Sequence, residues 1–283
     1  MSRPVRIEYP GAYYLVTSKG NRGQETYVDE EDRKVFLNVV AMVVERFGWV
    51  LHAYAMMSDH YHLVVSVPAA NLSRGMRQLN GVYTQHFNRK HGLEGSLFHG
   101  RFRSILFEQD GYLQEICRHV VMNPVRSGDG TSAEKCRWTS HRAASGLIKM
   151  PAFLDCTELV ASFGRRPVDA IRKYRAFVKA GLGGQSPLDD REHQVLLGSD
   201  EFVARLQPVL DGTKAAKIGP RRVGRKRTLK SMFKPAAGKD REVRNEIILR
   251  AHVEYGYTLS EIGEHLGLHY TTVSKVINAA GRG

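Results

Sequence analysis

Two histidines two residues apart, in Asp59-His60-Tyr61-His62, have the type and spacing to share a cation. Leu63-Val64-Val65-Ser66-Val67 continues them as a β-branched apolar run, which predicts a strand. Side chains alternate faces along a strand, so both imidazoles point one way and Tyr61 the other. At a rise of about 3.3 Å per residue they stand roughly 6.5 Å apart along the backbone, close enough to converge on one divalent metal. A bare His-x-His pair is more often two half-buried polar residues on a wetted sheet face. The surrounding chain decides between the two.

The elements that would position the pair lie on both sides of it. Ala12 to Ser18 reads as a first strand, closed by the loop Lys19-Gly20-Asn21-Arg22-Gly23 with its two cations. Asp29 to Asp32 opens a helix, since acids suit its positive end. Val35, Phe36, Val39, Val40, Val43, Val44 and Phe47 recur at helical spacing, and Gly48 stops it. Trp49 to Met57 is a second strand, turned by Ser58-Asp59 into the strand of His60 and His62. A helix follows from Asn71 through Met76, Leu79, Val82, Tyr83 and Phe87, then a strand from Phe102 to Phe107. A last helix spans Gln109 to Asn123, and Pro124 ends it. The order β-α-β-β-α-β-α predicts an α+β fold: a ferredoxin-like antiparallel sheet with packed helices.

The chain of 283 residues carries a net charge of +13 with a pI near 9.7. That balance points to a polyanionic partner, nucleic acid first and an anionic membrane second. Cys117, Cys136 and Cys156 lack CxxC spacing, which excludes a disulfide framework and a thiolate zinc site and predicts a reducing, cytoplasmic setting. No run reaches membrane-spanning length.

Residues 138–177 read as helical and irregular, and 180–187 as a linker. Lys214 to Lys239 holds ten cations and no acid, among them Arg221, Arg222, Arg225, Lys226 and Arg227. Such a run is a solvated tether that also suits phosphates. Beyond it, Arg241 to Glu254 forms a helix with Val243, Ile247, Ile248 and Ala251 inward. Thr258-Leu259-Ser260-Glu261 fits a capping box for a second helix. After Gly267-Leu268, a third runs from Tyr270 to Asn278, with Val273, Val276 and Ile277 inward and Tyr270, Thr271, Thr272, Ser274, Lys275 and Asn278 outward. This predicts a small all-α helix-turn-helix domain that binds duplex DNA. The domains expected are 1–130, 131–239 and 240–283.

Several blocks, in order, resemble one family. They are Arg6-Ile7-Glu8-Tyr9-Pro10-Gly11, Thr17-Ser18-Lys19-Gly20-Asn21-Arg22, His52 to His62, Leu72 to Thr84, and Asn123-Pro124-Val125-Arg126-Ser127-Gly128. Together they resemble the REP-associated tyrosine transposases of the single-tyrosine HUH superfamily, in the branch with a C-terminal helix-turn-helix. The resemblance implies that His60, His62 and Asn123 ligate Mg²⁺ or Mn²⁺, and that the domain, with Arg22, contacts single-stranded or hairpin DNA. It implies metal-assisted cleavage and rejoining, with self-association compatible. Two family tyrosines are absent. The nucleophile position, four residues before Asn-Pro-Val, is His119, and the usual Trp-x-Ser-Tyr-Arg reads Trp138-Thr139-Ser140-His141-Arg142. Tyr83 and Tyr112 remain nearby in sequence, and Tyr83 is the fallback nucleophile, though neither is the group the family uses. The alternative is a catalytically inactive, transposase-derived DNA-binding or regulatory protein.

Overall fold

Alternation of apolar side chains over Ala12–Lys19 and His60–Val67 makes β1 and β3, which pair antiparallel from Ala12 opposite Val67 to Lys19 opposite His60. The structure is a computed structural model that describes residues 7–182, 186–188, 195–210, 228–233, 241–253, 257, 259–269, 272–273 and 276–277. Between β1 and β3 come α1 (Glu30–Phe47) and β2 (Val50–Met56). After β3 come α2 (Leu72–His91), β4 (Arg103–Phe107), α3 (Gln109–Val121) and α4 (Asn123–Arg126). The sheet order is β2-β3-β1-β4-β5, antiparallel through its first four strands as the ferredoxin-like reading expects. The fifth strand, β5 (Leu196–Leu197), was not foreseen; it adds parallel to β4, with Leu196 opposite Leu106.

Local chemistry sets the helix ends. Asp29 caps α1 by accepting from the Asp32 amide at 2.9 Å, and the Asp32 carboxylate accepts from the Asp29 amide in return. α1 turns Phe36, Val39, Val40 and Val43 onto the sheet, and α2 turns Leu72, Met76, Leu79, Tyr83 and Phe87. Each such buried side chain contributes about 1.5–3 kcal/mol. Both helices cover the Tyr61 face: the Tyr61 ring lies 4.6 Å from that of Phe36, and its hydroxyl donates to Asn80 on α2. α3 packs instead against β2 and β3 on the histidine face.

Two expectations are corrected around α3. Its first residues are not helical, because Asp110 is extended and Gly111 takes φ 82°; the regular turns begin at Tyr112. Pro124 does not end the helical path either. Met122 keeps a right-handed backbone, and Pro124 sits in the first turn of α4, where its missing N–H is no loss.

The chain divides into two units, Met1–Ile218 and Gly219–Gly283. The first holds α5 (His141–Ala144), α6 (Thr157–Ala161), α7 (Pro167–Ala180) and α8 (Asp200–Leu210). Its core runs through position 130 without a break, for Leu154, Cys156, Leu159, Tyr174 and Val178 join the same cluster as the sheet. Leu188, just beyond the expected linker, also packs on it.

The second unit is built of α9 (Leu229–Met232), α10 (Arg241–Val253) and α11 (Leu259–Leu266), with helical turns at Thr272–Val273 and Val276–Ile277. Ile248, Ala251, Ile262 and Val273 form its core, with Leu229, Met232, Phe233, Val276 and Ile277 packed around them. The basic stretch therefore contains a helix, because Leu229, Met232 and Phe233 have apolar surface to bury. Val243, expected inward, is 40% exposed. Among the described residues no helix is long and apolar enough to cross a membrane.

Candidate functional site

The site forms where the free ends of β1 and β3 meet the α3–α4 junction. The Ser58-Asp59 turn is closed by the Met57 amide donating to the His60 carbonyl at 2.8 Å. The Gly20 amide donates to the Asp59 carbonyl at 2.6 Å, which ties the loop carrying Arg22 to the same end of the sheet. A Cβ on Gly20 would lie 2.1 Å from the Gln24 carbonyl oxygen, so only glycine fits there. Arg22 itself is exposed and holds a left-handed backbone, φ 52°.

His60 and His62 share a face, their ring centroids 4.9 Å apart and nearly perpendicular. The His62 Nε2 atom lies 2.7 Å from the Asn123 side-chain amide. His62 Nδ1 lies 2.8 Å from Thr17 Oγ1, on the paired strand. His62 is buried, and burial, followed by the nearby His60, His119 and Arg126, pushes its pKa down to about 3. The ring is thus neutral. With Asn123 Nδ2 donating to Nε2, the proton sits on Nδ1 and is donated to Thr17, leaving the Nε2 lone pair toward Asn123. His60 is oriented in the same way, its Nδ1 2.5 Å from Asp59 Oδ1. Burial alone would raise the Asp59 carboxyl, but the His60 hydrogen bond and Lys19 at 3.3 Å hold it below the ordinary carboxylate value.

This donor set fits a hard or borderline divalent ion. Both imidazoles have Nδ1 occupied by an oxygen partner and present Nε2, the usual outer-shell arrangement of metal-binding histidines. Asn123 offers Oδ1 after a half-turn of its amide. Among the described residues no group of three or more His, Cys, Asp or Glu could hold a metal, so any such site here depends on the amide.

His119 lies half-buried on α3, near enough to weigh on the His62 pKa. The Arg126 guanidinium donates to its backbone carbonyl, and its Nδ1 lies 3.4 Å from Ser186 Oγ. His141, in place of the second family tyrosine, is buried in the core with Nδ1 3.3 Å from the Tyr174 hydroxyl.

Tyr83 is not brought to this face, which corrects its assignment as a fallback nucleophile. It is wholly buried on the opposite layer, edge-on to Phe36, and its hydroxyl donates to the Thr26 carbonyl at 2.6 Å. Burial raises its pKa well above that of an ordinary phenol. In the second unit Thr272 is exposed. Arg221, Arg222, Arg225, Lys226, Arg227, Tyr270, Thr271, Ser274, Lys275 and Asn278 lie outside the described residues. Thr17, Arg126 and Ser186 were missed by sequence reasoning. Thr17 was within reach, since pairing β1 against β3 puts it opposite His62; Ser186 had no signal, being 67 residues from His119.

Residues 11–123 match the family model described as Transposase IS200 like, so the resemblance read from the sequence is found independently over that stretch. Among solved structures, a REP-associated tyrosine transposase bound to a REP hairpin is 19% identical, covering 59% of this chain and 98% of its own, with a TM-score of 0.44. No curated protein matches the chain.

Proposed function

We propose, from a first unit whose residues 11–123 are similar to IS200-like transposases, that this protein binds single-stranded or hairpin DNA over the histidine face. There it would act on a phosphodiester with Mg²⁺ or Mn²⁺. One observation carries the reading: His60, His62 and Asn123 converge, and Asp59 and Thr17 fix both rings so that Nε2 is presented. His60, His62 and Asn123 would hold the ion, which when bound supplies Lewis-acid polarisation of the phosphate. The remaining chemistry belongs to the chain. Asp59 and Thr17 set the tautomers, and Arg126 fixes the backbone at His119. His119 fills the nucleophile position. An imidazole is shorter than a phenol, and misplacement by about 1 Å can cost roughly a hundredfold in rate.

His119 also favours a second reading, in which the chain is a DNA-binding protein of transposase descent that no longer cleaves. For the second unit we propose a helix-turn-helix on duplex DNA, supported by the inward Val273, Val276 and Ile277, the exposed Thr272 and the basic stretch before it. The three cysteines are unpaired, which suits a cytoplasmic protein.

A denaturing gel on hairpin-bearing single-stranded DNA with Mg²⁺ tests the function. The natural protein is expected to cleave weakly or not at all. His119→Tyr is expected to gain cleavage and a covalent protein–DNA band. A normal rate of adduct formation by the natural protein, unchanged in His119→Ala, would refute the assignment of position 119.

A further inference from the structure

Cross-strand pairing sets Arg103, Thr17, His62 and Ala55 in one row on the histidine face, from β4 across β1 and β3 to β2. Neighbouring strands stand about 4.8 Å apart, so the Arg103 backbone lies roughly 10 Å from that of His62, with only Thr17 between. An arginine side chain is long enough to cross one strand. The segment before Arg103 is held in place: Phe102 is buried, and the His99 amide donates to the Lys19 carbonyl at 2.8 Å.

Several arginines of this unit already hold a carboxylate or carbonyl partner. Arg118 is paired with Glu115, Arg137 with Glu30 and Arg172 with Asp169, while Arg33 donates to the Met56 carbonyl. Arg103 is exposed, and no carboxylate pairs with it among the described residues. One row further out Lys19 is 63% exposed despite its contact with Asp59, and on the other side Arg126 sits over His119. An unneutralised guanidinium beside a candidate metal set has one evident counterpart, a phosphodiester. We infer that Arg103 is a phosphate-binding residue that holds a single-stranded DNA backbone across Thr17 toward His60, His62 and Asn123. The inference rests on the proposed function of that face.

The test uses the full chain and a fluorescein-labelled single-stranded oligonucleotide, titrated by anisotropy over a series of KCl concentrations. Arg103→Ala is expected to weaken binding about tenfold, the worth of one charge-assisted contact. It should also flatten the slope of log K against log salt by about 0.7, one phosphate contact on a single strand. Arg103→Lys keeps the charge and should restore the slope. Arg46, exposed at the far end of α1 on the opposite layer, is the control, and Arg46→Ala should change neither quantity. Unchanged affinity and slope in Arg103→Ala, with the natural protein binding normally, would overturn the role of Arg103 alone. No single-strand binding by the natural protein would overturn both this role and the function on which it rests.

Discussion

The two faces of the same sheet have opposite characters. Tyr61 points into a layer of aromatic rings, Tyr27, Phe36, Tyr83 and Phe98, that α1 and α2 seal. His60 and His62, one residue to either side, point to a layer where an oxygen partner holds the Nδ1 atom of each. Burial acts on both faces in the same sense, favouring the neutral form. For the tyrosines this removes chemistry, since a phenol pushed well above its usual pKa is neither base nor nucleophile at neutral pH. For His62 the same push, to about 3, creates chemistry, because a neutral imidazole has a lone pair to give. One backbone alternation therefore separates the core from the candidate site.

The largest test of this separation is in the aromatic layer. Tyr83→Ala should cost about 3–5 kcal/mol of stability, as a large aromatic removed from a close-packed core. Denaturant titration should show a much lower midpoint, while Mn²⁺ affinity of the folded protein stays the same. A loss of metal affinity there would mean that the two faces are not independent.

The next effect is smaller and falls on the other face. Thr17→Val keeps the shape of the side chain but removes the oxygen that receives the His62 Nδ1 proton. Outer-shell changes of this kind weaken metal binding about 10–100-fold. Unchanged Mn²⁺ affinity in a calorimetric titration would show that Thr17 does not set the tautomer.

The smallest effect is a difference in pH response. His52 and His141 are buried, and burial lowers each to about 4 from the ordinary 6.5. The unfolded chain then binds more protons than the folded one below about pH 6.5, so stability is full above that value and falls as pH drops toward 4. Tyr54, raised to about 12 by burial, works in the opposite direction and costs stability only as pH rises above 10. Melting temperatures at successive pH values should decline on the acid side first. A flat profile between pH 6.5 and 4 would contradict the burial of both histidines.

The sequence revealed what local pattern controls. Hydrophobic periodicity gave β1 to β4, α1 and α2, and the His-x-His spacing placed both imidazoles on one face. Long-range pairing stayed hidden. Two leucines at 196–197 carry no strand signal of their own and become β5 only because β4 offers an open edge. The opening of α3 was misread because the turn signal of Asp110-Gly111, a pair suited to a positive φ, was read through as helix. Tyr83 looked like a spare nucleophile because type alone cannot show whether a hydroxyl faces solvent or a carbonyl. Arg103 passed unnoticed, since its meaning comes from the strand beside it.

The most direct measurement is calorimetric titration of Mn²⁺ into the natural protein and into the His60→Ala/His62→Ala double variant. One binding isotherm is expected for the natural protein and none for the variant, because the remaining amide cannot hold a weakly bound cation alone. Equal affinity in the two proteins would place the metal elsewhere and leave the histidine face without its proposed chemistry.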